Sequence, residues 1–170
     1  MPGALFDTPF TARRGADEIS TSRDRLDRAV IHAFLTESYW SPGIPLETVE
    51  RAIAGSLNFG LYRDGRQSGF ARVITDGATF AYFGDVFVLP DYRGAGLATW
   101  LVTTALTHPA LSGLRRCLLV TRDAQAIYAR CGFTPIARPE RFMEITRPDL
   151  VLDGGPPVRL RTRPGALPRK

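Results

Sequence analysis

The segment that most constrains the fold of this 170-residue chain runs from Val86 to Ala98. It reads Val-Phe-Val-Leu-Pro-Asp-Tyr-Arg-Gly-Ala-Gly-Leu-Ala, and a helical pattern follows it from Thr99 to Thr107. A β-rich run, a glycine-rich turn and a helix start, in this order, predict a strand that leads directly into a helix N-terminus. Glycines let a ligand approach the backbone closely, and free N–H groups at a helix N-terminus attract anions. The segment therefore predicts a phosphate-binding turn, with an ordinary strand-to-helix turn as the alternative.

Two other kinds of glycine-rich phosphate site are excluded by the residues around this turn. A Walker loop needs Gly-Lys-Ser or Gly-Lys-Thr, and Lys170 is the only lysine in the sequence. The dinucleotide fingerprint needs a third glycine where Thr99 stands, and an acidic residue about 20 residues further on. That region reads Leu114-Arg115-Arg116 instead.

Two motifs give the chain a family resemblance. The order Arg93-x-x-Gly96-x-Ala98 after a β-rich run resembles the acyl-CoA-binding motif of the GNAT N-acetyltransferases. Residues 124–133 resemble the Ala-x-x-x-Tyr-x-x-x-Gly-Phe element of that family, and the separation of Arg93 from Tyr128 matches it. The resemblance spans about residues 19–145 and is closest to small bacterial members with Tyr-Trp-x-x-Gly-Ile-Pro and Asp-Val-Phe-Val segments. It implies the GNAT fold and an acyl-CoA-dependent N-acetyltransferase.

The pattern of hydrophobic residues and turn signals predicts an α/β chain with a mixed sheet. The resemblance makes this a central, mostly antiparallel, twisted sheet with helices on both faces. The predicted elements, in chain order, are strand Asp17–Ser20, helix Arg23–Leu35 behind an N-cap at Ser22, helix Leu46–Ser56, strands Asn58–Arg63, Gln67–Thr75 and Thr79–Leu89, helix Gly94–Thr107, strand Arg115–Thr121, helix Ala124–Cys131, and closing strands Phe133–Ile136 and Arg141–Thr146.

Composition divides the chain into three parts. Residues 1–15 are predicted to be a loosely ordered arm and residues 151–170 a basic tail rich in proline and glycine; the resemblance implies that residues 16–150 are a GNAT acetyltransferase domain. The net charge is +5, but the tail holds five basic residues and one acidic residue, so the rest is near +1. This distribution favours a solvated tail over nucleic-acid binding. No apolar run spans a bilayer and no secretory signal is visible, so we expect no membrane association and a cytoplasmic location.

Asp85 is the first catalytic candidate. Alternation along its strand places Asp85 on the same face as Phe83 and Phe87. A carboxylate between aromatic rings is costly to bury unless it is paired, and burial favours its protonated form. By resemblance, a carboxylate here serves as general base, directly or through a water. The alternative is a structural aspartate held by an arginine or by backbone N–H groups.

The resemblance also assigns the residues that bind the donor, acetyl-CoA. The CoA pyrophosphate is expected on the backbone N–H groups of Arg93, Gly94, Ala95, Gly96, Leu97 and Ala98. The backbone of Phe87 and Val88 is expected to pair with the pantetheine arm like an added strand. Thr121 stands where the family often has an asparagine that contacts this arm. The side chain of Arg93 either contributes charge or is structural.

Tyr128 is the second catalytic candidate. By resemblance it is the general acid that protonates the departing thiolate, and a core tyrosine is the alternative. The loop that contains Glu37, Tyr39 and Trp40 borders the acceptor pocket in relatives. Its aromatic rings suit a small apolar or aromatic amine, and Glu37 suits an ammonium group; alternatively, Trp40 anchors the loop.

These residues together predict acetyl transfer to a primary amine of a small molecule by direct attack. The sequence implies no metal, and a homodimer is compatible with it. A CoA-binding sensor without turnover is the alternative function.

Overall fold

The fold is built on a six-stranded sheet in the computed structural model, which describes residues 8–145. The strands lie side by side in chain order, and each pair of neighbours is antiparallel except β5 and β6, which are parallel. Their bounds are β1 Thr11–Arg14, β2 Asp17–Ser20, β3 Leu57–Arg63, β4 Arg66–Thr75, β5 Phe80–Val88 and β6 Arg116–Leu119. The predicted mixed, mostly antiparallel sheet is confirmed.

Helices cover both faces of the sheet. Their bounds are α1 Arg28–Glu37, α2 Leu46–Ala54, α3 Leu97–Leu106 and α4 Gln125–Arg130. Leu101 of α3 belongs to a buried cluster with Phe59 of β3, and Tyr128 of α4 packs against that cluster. Ile31 of α1 belongs to a second cluster that contains Phe70 of β4. Because both faces of the central strands are covered, β3 is buried along almost its whole length.

The turn between β3 and β4 forms where the sequence predicts a hairpin. Asp64 and Gly65 both have left-handed backbone angles, with φ of 49° and 77°. A two-residue hairpin turn needs this conformation to match the twist of its strands, and an aspartate–glycine pair adopts it readily.

The first helix begins later than predicted. Ser22 makes no capping hydrogen bond, and the chain forms only a short 3-10 turn over Arg23–Arg25. Helix α1 begins at Arg28, because the side chain of Asp27 accepts the Val30 N–H at 3.1 Å.

Both ends of the described chain differ from expectation. Residues Thr11–Arg14 of the predicted loose arm form β1 and pair with β2. The closing strands are not formed: residues 133–145 hold one 3-10 turn, Pro139–Arg141, and no strand. Prolines in this stretch cannot donate to a sheet ladder. Residues 1–7, Thr146 and the predicted tail 151–170 lie outside the described residues.

A β-bulge interrupts β5 beside the predicted site. Arg72 pairs with Gly84 and Phe70 with Phe87, so one additional residue stands on β5 across from β4. Asp85 lies within this bulge with φ of 53°. The additional residue inverts the alternation of side chains beyond it. Phe83 therefore belongs to the cluster under α3 and Phe87 to the cluster under α1 and α2; the prediction that Asp85 shares one face with both rings is wrong.

Candidate active site

A cleft of about 970 Å³ opens where β5 and β6 separate. The paired residues of the two strands end at Phe83 and Leu119. Beyond them, the Gly84–Val88 stretch of β5 forms one wall and residues 120–124, with α4 behind them, form the other. Residues of the turn before α3 and of the loop between α1 and α2 complete the lining.

The turn before α3 and the first two residues of α3 present free backbone donors to the cleft; together these donors are called the N–H groups before α3. Gly94 and Gly96 have φ of 84° and 69°, and a Cβ at either position would meet no atom within 4 Å. Glycine is therefore required here by the backbone conformation rather than by space. The backbone N–H groups of Gly94, Gly96, Leu97 and Ala98 donate no hydrogen bond within the described residues, and all four residues line the cleft.

Arg93 and Ala95 differ from the other residues of this turn. The Arg93 N–H donates to the Pro90 carbonyl at 3.1 Å, so it is already used within the turn. The Arg93 Nε donates to the Val88 carbonyl at 2.9 Å, which is the structural alternative for this side chain, although the residue also lines the cleft. Ala95 is not part of the lining, and its carbonyl accepts a hydrogen bond from Arg14. The structure thus brings four of the six predicted N–H donors to the cleft unbonded.

Asp85 lines the cleft and is held by two side chains. Its Oδ2 accepts the Arg72 Nε–H at 2.6 Å, and its Oδ1 accepts the Trp40 indole N–H at 3.3 Å. The side chains of Arg72 and Asp85 are only 16% and 12% exposed. Sequence reasoning missed Arg72. Its position within the apolar run of β4 was the available signal, because a half-buried guanidinium needs an acidic partner.

Tyr128 lies half-buried in α4 and lines the cleft. Burial raises the pKa of its phenol to about 12, and the nearby Tyr39, Cys131, Tyr82 and Asp123 raise it further in smaller measure. The phenol therefore keeps its proton throughout the neutral range. It can donate a hydrogen bond to an atom that gains negative charge in the cleft.

Thr121 lines the cleft on the β6 side. Its Oγ1 accepts the Ala124 N–H at 3.1 Å, just before α4 begins. The hydroxyl proton of Thr121 is still able to serve as a donor toward the cleft.

The loop after α1 contacts the opposite wall. The Tyr39 hydroxyl accepts the Arg122 N–H at 3.0 Å, and the Arg122 guanidinium lies 3.8 Å from the Tyr39 ring. Tyr39 and Trp40 line the cleft and contact each other edge to face at 4.9 Å. Trp40 is 40% exposed, so it is a cleft residue rather than a core anchor. Glu37 is exposed at the end of α1 and is not part of the lining.

Residues 55–135 match the family model of the GNAT acetyltransferase domain. A candidate acetyltransferase of Gibberella zeae is 31% identical in a match that covers 72% of this chain and 81% of that protein. The chain belongs to the GNAT acetyltransferase family.

Solved acetyltransferase structures share the fold of this family member. A candidate GNAT acetyltransferase from Xanthomonas campestris pv. campestris is 50% identical with a TM-score of 0.76, covering 79% of this chain and 95% of that one. An acetyltransferase structure from Clostridium acetobutylicum, described with acetyl-CoA, is 13% identical with a TM-score of 0.55 and covers 82% of this chain and 95% of its own. At that identity the second likeness shows the fold alone.

GNAT proteins use acetyl-CoA, and this cleft has the chemistry to hold it. The unbonded N–H groups before α3 suit a pyrophosphate. Charges in the lining favour an anionic ligand, because four arginines face two carboxylates: Arg72, Arg93, Arg122 and Arg130 against Asp85 and Asp123.

Residues 8–145 contain neither a cluster of metal-ligating side chains nor a helix that could span a membrane. No group of three or more metal-ligating side chains comes together among them. None of the helices in this part of the chain combines the length and the apolar character that crossing a membrane requires.

Proposed function

We propose that this chain transfers the acetyl group of acetyl-CoA to a primary amine of a small molecule by direct attack, without an acyl-enzyme. The observation that carries the proposal is the convergence of three features on one cleft. These are the unbonded N–H groups before α3, the Asp85 carboxylate at the β5 bulge, and the protonated Tyr128 phenol on the facing helix.

The donor is held from the turn and from β5. Gly94, Gly96, Leu97 and Ala98 direct four N–H groups at the pyrophosphate, and the helix dipole of α3 adds to their effect. The backbone of Phe87 and Val88 lies on the cleft wall where the pantetheine arm pairs like an added strand. From the opposite wall, the Thr121 hydroxyl donates a hydrogen bond to that arm.

The acceptor is a small apolar or aromatic primary amine. The cleft between α1 and β5 is lined by aromatic rings, those of Phe34, Tyr39, Trp40 and Tyr82. Flat apolar surface favours an acceptor with an apolar body. Glu37 is outside the lining, and Asp123 on the opposite wall bonds Arg122, so Asp85 is the carboxylate that meets the amine.

Proton transfers complete the reaction. The amine nitrogen forms a bond to the acetyl carbon as the carbon–sulfur bond breaks. Asp85, or a water that it orients, takes the proton that the nitrogen loses. Tyr128 donates a hydrogen bond to the departing sulfur and keeps its proton, while Asp85 passes the amine proton to solvent and the thiolate exchanges protons with solvent. A thiol of pKa about 8.5 is a stronger acid than a phenol of pKa about 12, so Tyr128 acts chiefly by a strong hydrogen bond to the thiolate.

The test uses the 170-residue protein with acetyl-CoA and a panel of primary amines that spans aromatic, aliphatic and amino-acid acceptors. We expect free thiol and N-acetylated amine in equal amounts, with the highest kcat/KM for aromatic amines. Thiol release without acetylated amine would contradict the proposal.

A CoA-binding sensor is the second candidate, because Thr121 replaces the asparagine expected of this family's motif and its hydroxyl oxygen is engaged by Ala124. Enzyme and sensor are both stabilised by CoA, by about 2.7 kcal/mol at a hundredfold excess over Kd. Stabilisation without thiol release from any acceptor would favour the sensor.

A further inference from the structure

Asp85 is held in place by its backbone conformation and by hydrogen bonds to both of its carboxylate oxygens. Its backbone adopts a left-handed conformation at the bulge, with φ of 53°, which is strained for a non-glycine residue. Each carboxylate oxygen accepts from a different side chain, Oδ2 from Arg72 and Oδ1 from Trp40. These two donors come from different parts of the fold, strand β4 and the loop between α1 and α2.

Arg72 is itself anchored by a second element. Its Nη1 donates to the Ser56 Oγ at 3.2 Å, and that hydroxyl donates to the Ala52 carbonyl at 2.7 Å, at the end of α2. The side chain of Arg72 is 16% exposed. The guanidinium therefore has one fixed orientation, set from α2, in which its Nε–H points to Asp85.

We propose that Arg72 is a positioning residue for acetyl transfer: it holds the Asp85 carboxylate between its own guanidinium and the Trp40 indole. Arg72 acts on the reaction only through Asp85. The inference rests on the proposed function, in which Asp85, or a water that it orients, accepts the proton of the amine.

The geometry explains why an arginine stands at this position. A planar guanidinium directs several N–H groups at once, so Arg72 reaches Ser56 and Asp85 together. The ammonium of a lysine is a point charge without this fixed fork. Arg72→Lys therefore keeps the charge and loses part of the alignment.

A double-mutant cycle tests the proposal with acetyl-CoA and the best amine of the panel. We expect Arg72→Met to lower kcat/KM for the amine about 10–100-fold, since it removes one charge-assisted hydrogen bond to Asp85. Asp85→Ala lowers it more, and the double variant should match Asp85→Ala within about twofold. KM for acetyl-CoA should change less than about threefold in all of them. The proposal would be overturned if the fold loss of kcat/KM in the double variant equalled the product of the losses in the two single variants.

Two further variants separate alignment from folding. The kcat/KM of Arg72→Lys should be at least about threefold higher than that of Arg72→Met. If Arg72→Met does not fold, Arg72→Lys takes its place in the comparison with the unmodified protein. Arg63→Met is the matched control, because Arg63 also bonds an aspartate, Asp17, across two strands. It should lower the melting temperature while kcat/KM stays within about twofold. Equal activity losses in Arg63→Met and Arg72→Met would contradict the proposal.

The emission of Trp40 provides a readout that does not depend on turnover. The other tryptophan, Trp100, lies in α3 outside the cleft lining, so a Trp100→Phe background isolates Trp40. We expect Arg72→Met to raise the quenching of Trp40 by acrylamide at least half as much as Asp85→Ala does. Unchanged quenching would overturn the role of Arg72. If the unmodified protein turns over no amine, the proposed function fails while this measurement still decides whether Arg72 holds Asp85.

Discussion

Two arginine–aspartate pairs in the same sheet serve different purposes. Arg63 of β3 bonds Asp17 of β2 with two parallel contacts of 2.8 and 2.9 Å, which use both carboxylate oxygens. Arg72 of β4 bonds only one oxygen of Asp85, and the other oxygen faces Trp40 in the cleft. Asp17 lies directly opposite Arg63 in a regular ladder, whereas Asp85 lies in a bulge. Arg63 thus binds both oxygens of Asp17 in a bidentate ion pair, whereas Arg72 leaves Asp85 with lone pairs that can accept further hydrogen bonds in the cleft.

Two tyrosines repeat the contrast. Burial raises the pKa of both Tyr62 and Tyr128 to about 12. Tyr62 is 3% exposed in β3, where Arg25 lies over its ring, and its hydroxyl bonds to nothing among the described residues. Tyr128 lines the cleft. The raised pKa therefore shows only that each tyrosine is buried. What distinguishes Tyr128 is its place in the cleft between β5 and β6.

The largest effect is expected from the two aspartates. Asp85→Asn should lower kcat/KM for the amine about 10²–10⁴-fold, because it removes the proton acceptor. Asp17→Asn should leave kcat/KM within about twofold and lower the melting temperature, because it breaks the clamp to Arg63. Steady-state kinetics and thermal unfolding on both variants check this. A loss of activity in Asp17→Asn as large as in Asp85→Asn would end the contrast between the pairs.

The tyrosines should show a smaller contrast. Tyr128→Phe should lower kcat about 10–100-fold, which corresponds to one hydrogen bond of about 1.5–3 kcal/mol to a charged group. Tyr62→Phe removes a hydroxyl of a residue that is not part of the cleft lining, so kcat should be unchanged. Thiol release at saturating substrates measures both. If Tyr128→Phe turns over at the normal rate, Tyr128 has no part in the reaction.

The smallest effect is expected from two left-handed glycines. Gly96, with φ of 69°, and Gly113, with φ of 77°, both have open space where a Cβ would lie. Substitution by alanine should cost each about 1–2 kcal/mol of stability. Only Gly96→Ala should also weaken CoA binding, about 5–10-fold, because it displaces the N–H groups before α3. Calorimetric titration with CoA distinguishes the two, and equal Kd values would remove the turn from the donor site.

Local signals in the sequence predicted much of the fold. The Asp64-Gly65 hairpin and the strand before Pro90 each depend on a few adjacent residues, and the structure confirms both. The start of α1 was misplaced because Ser22 and Asp27 both have capping side chains, and tertiary contacts favoured the second.

Non-local pairing explains what the sequence could not predict at the site. The bulge at Asp85 follows from the register of β5 on β4, which strand alternation alone does not contain. The bond from Arg72 to Asp85 depends on the same register, and the Tyr39–Arg122 contact joins residues 83 positions apart. Sequence motifs identified the glycine-rich turn before α3, whereas these long-range contacts shape the part of the cleft around Asp85 and Tyr39.

The separation of β5 from β6 also affects how this protein behaves at high concentration. Within residues 8–145, the Gly84–Val88 stretch of β5 has a neighbouring strand only on its β4 side. An uncovered strand edge recruits other chains and promotes aggregation. If the pantetheine arm pairs with this edge as proposed, the bound ligand also covers it and should lower the tendency of the protein to self-associate.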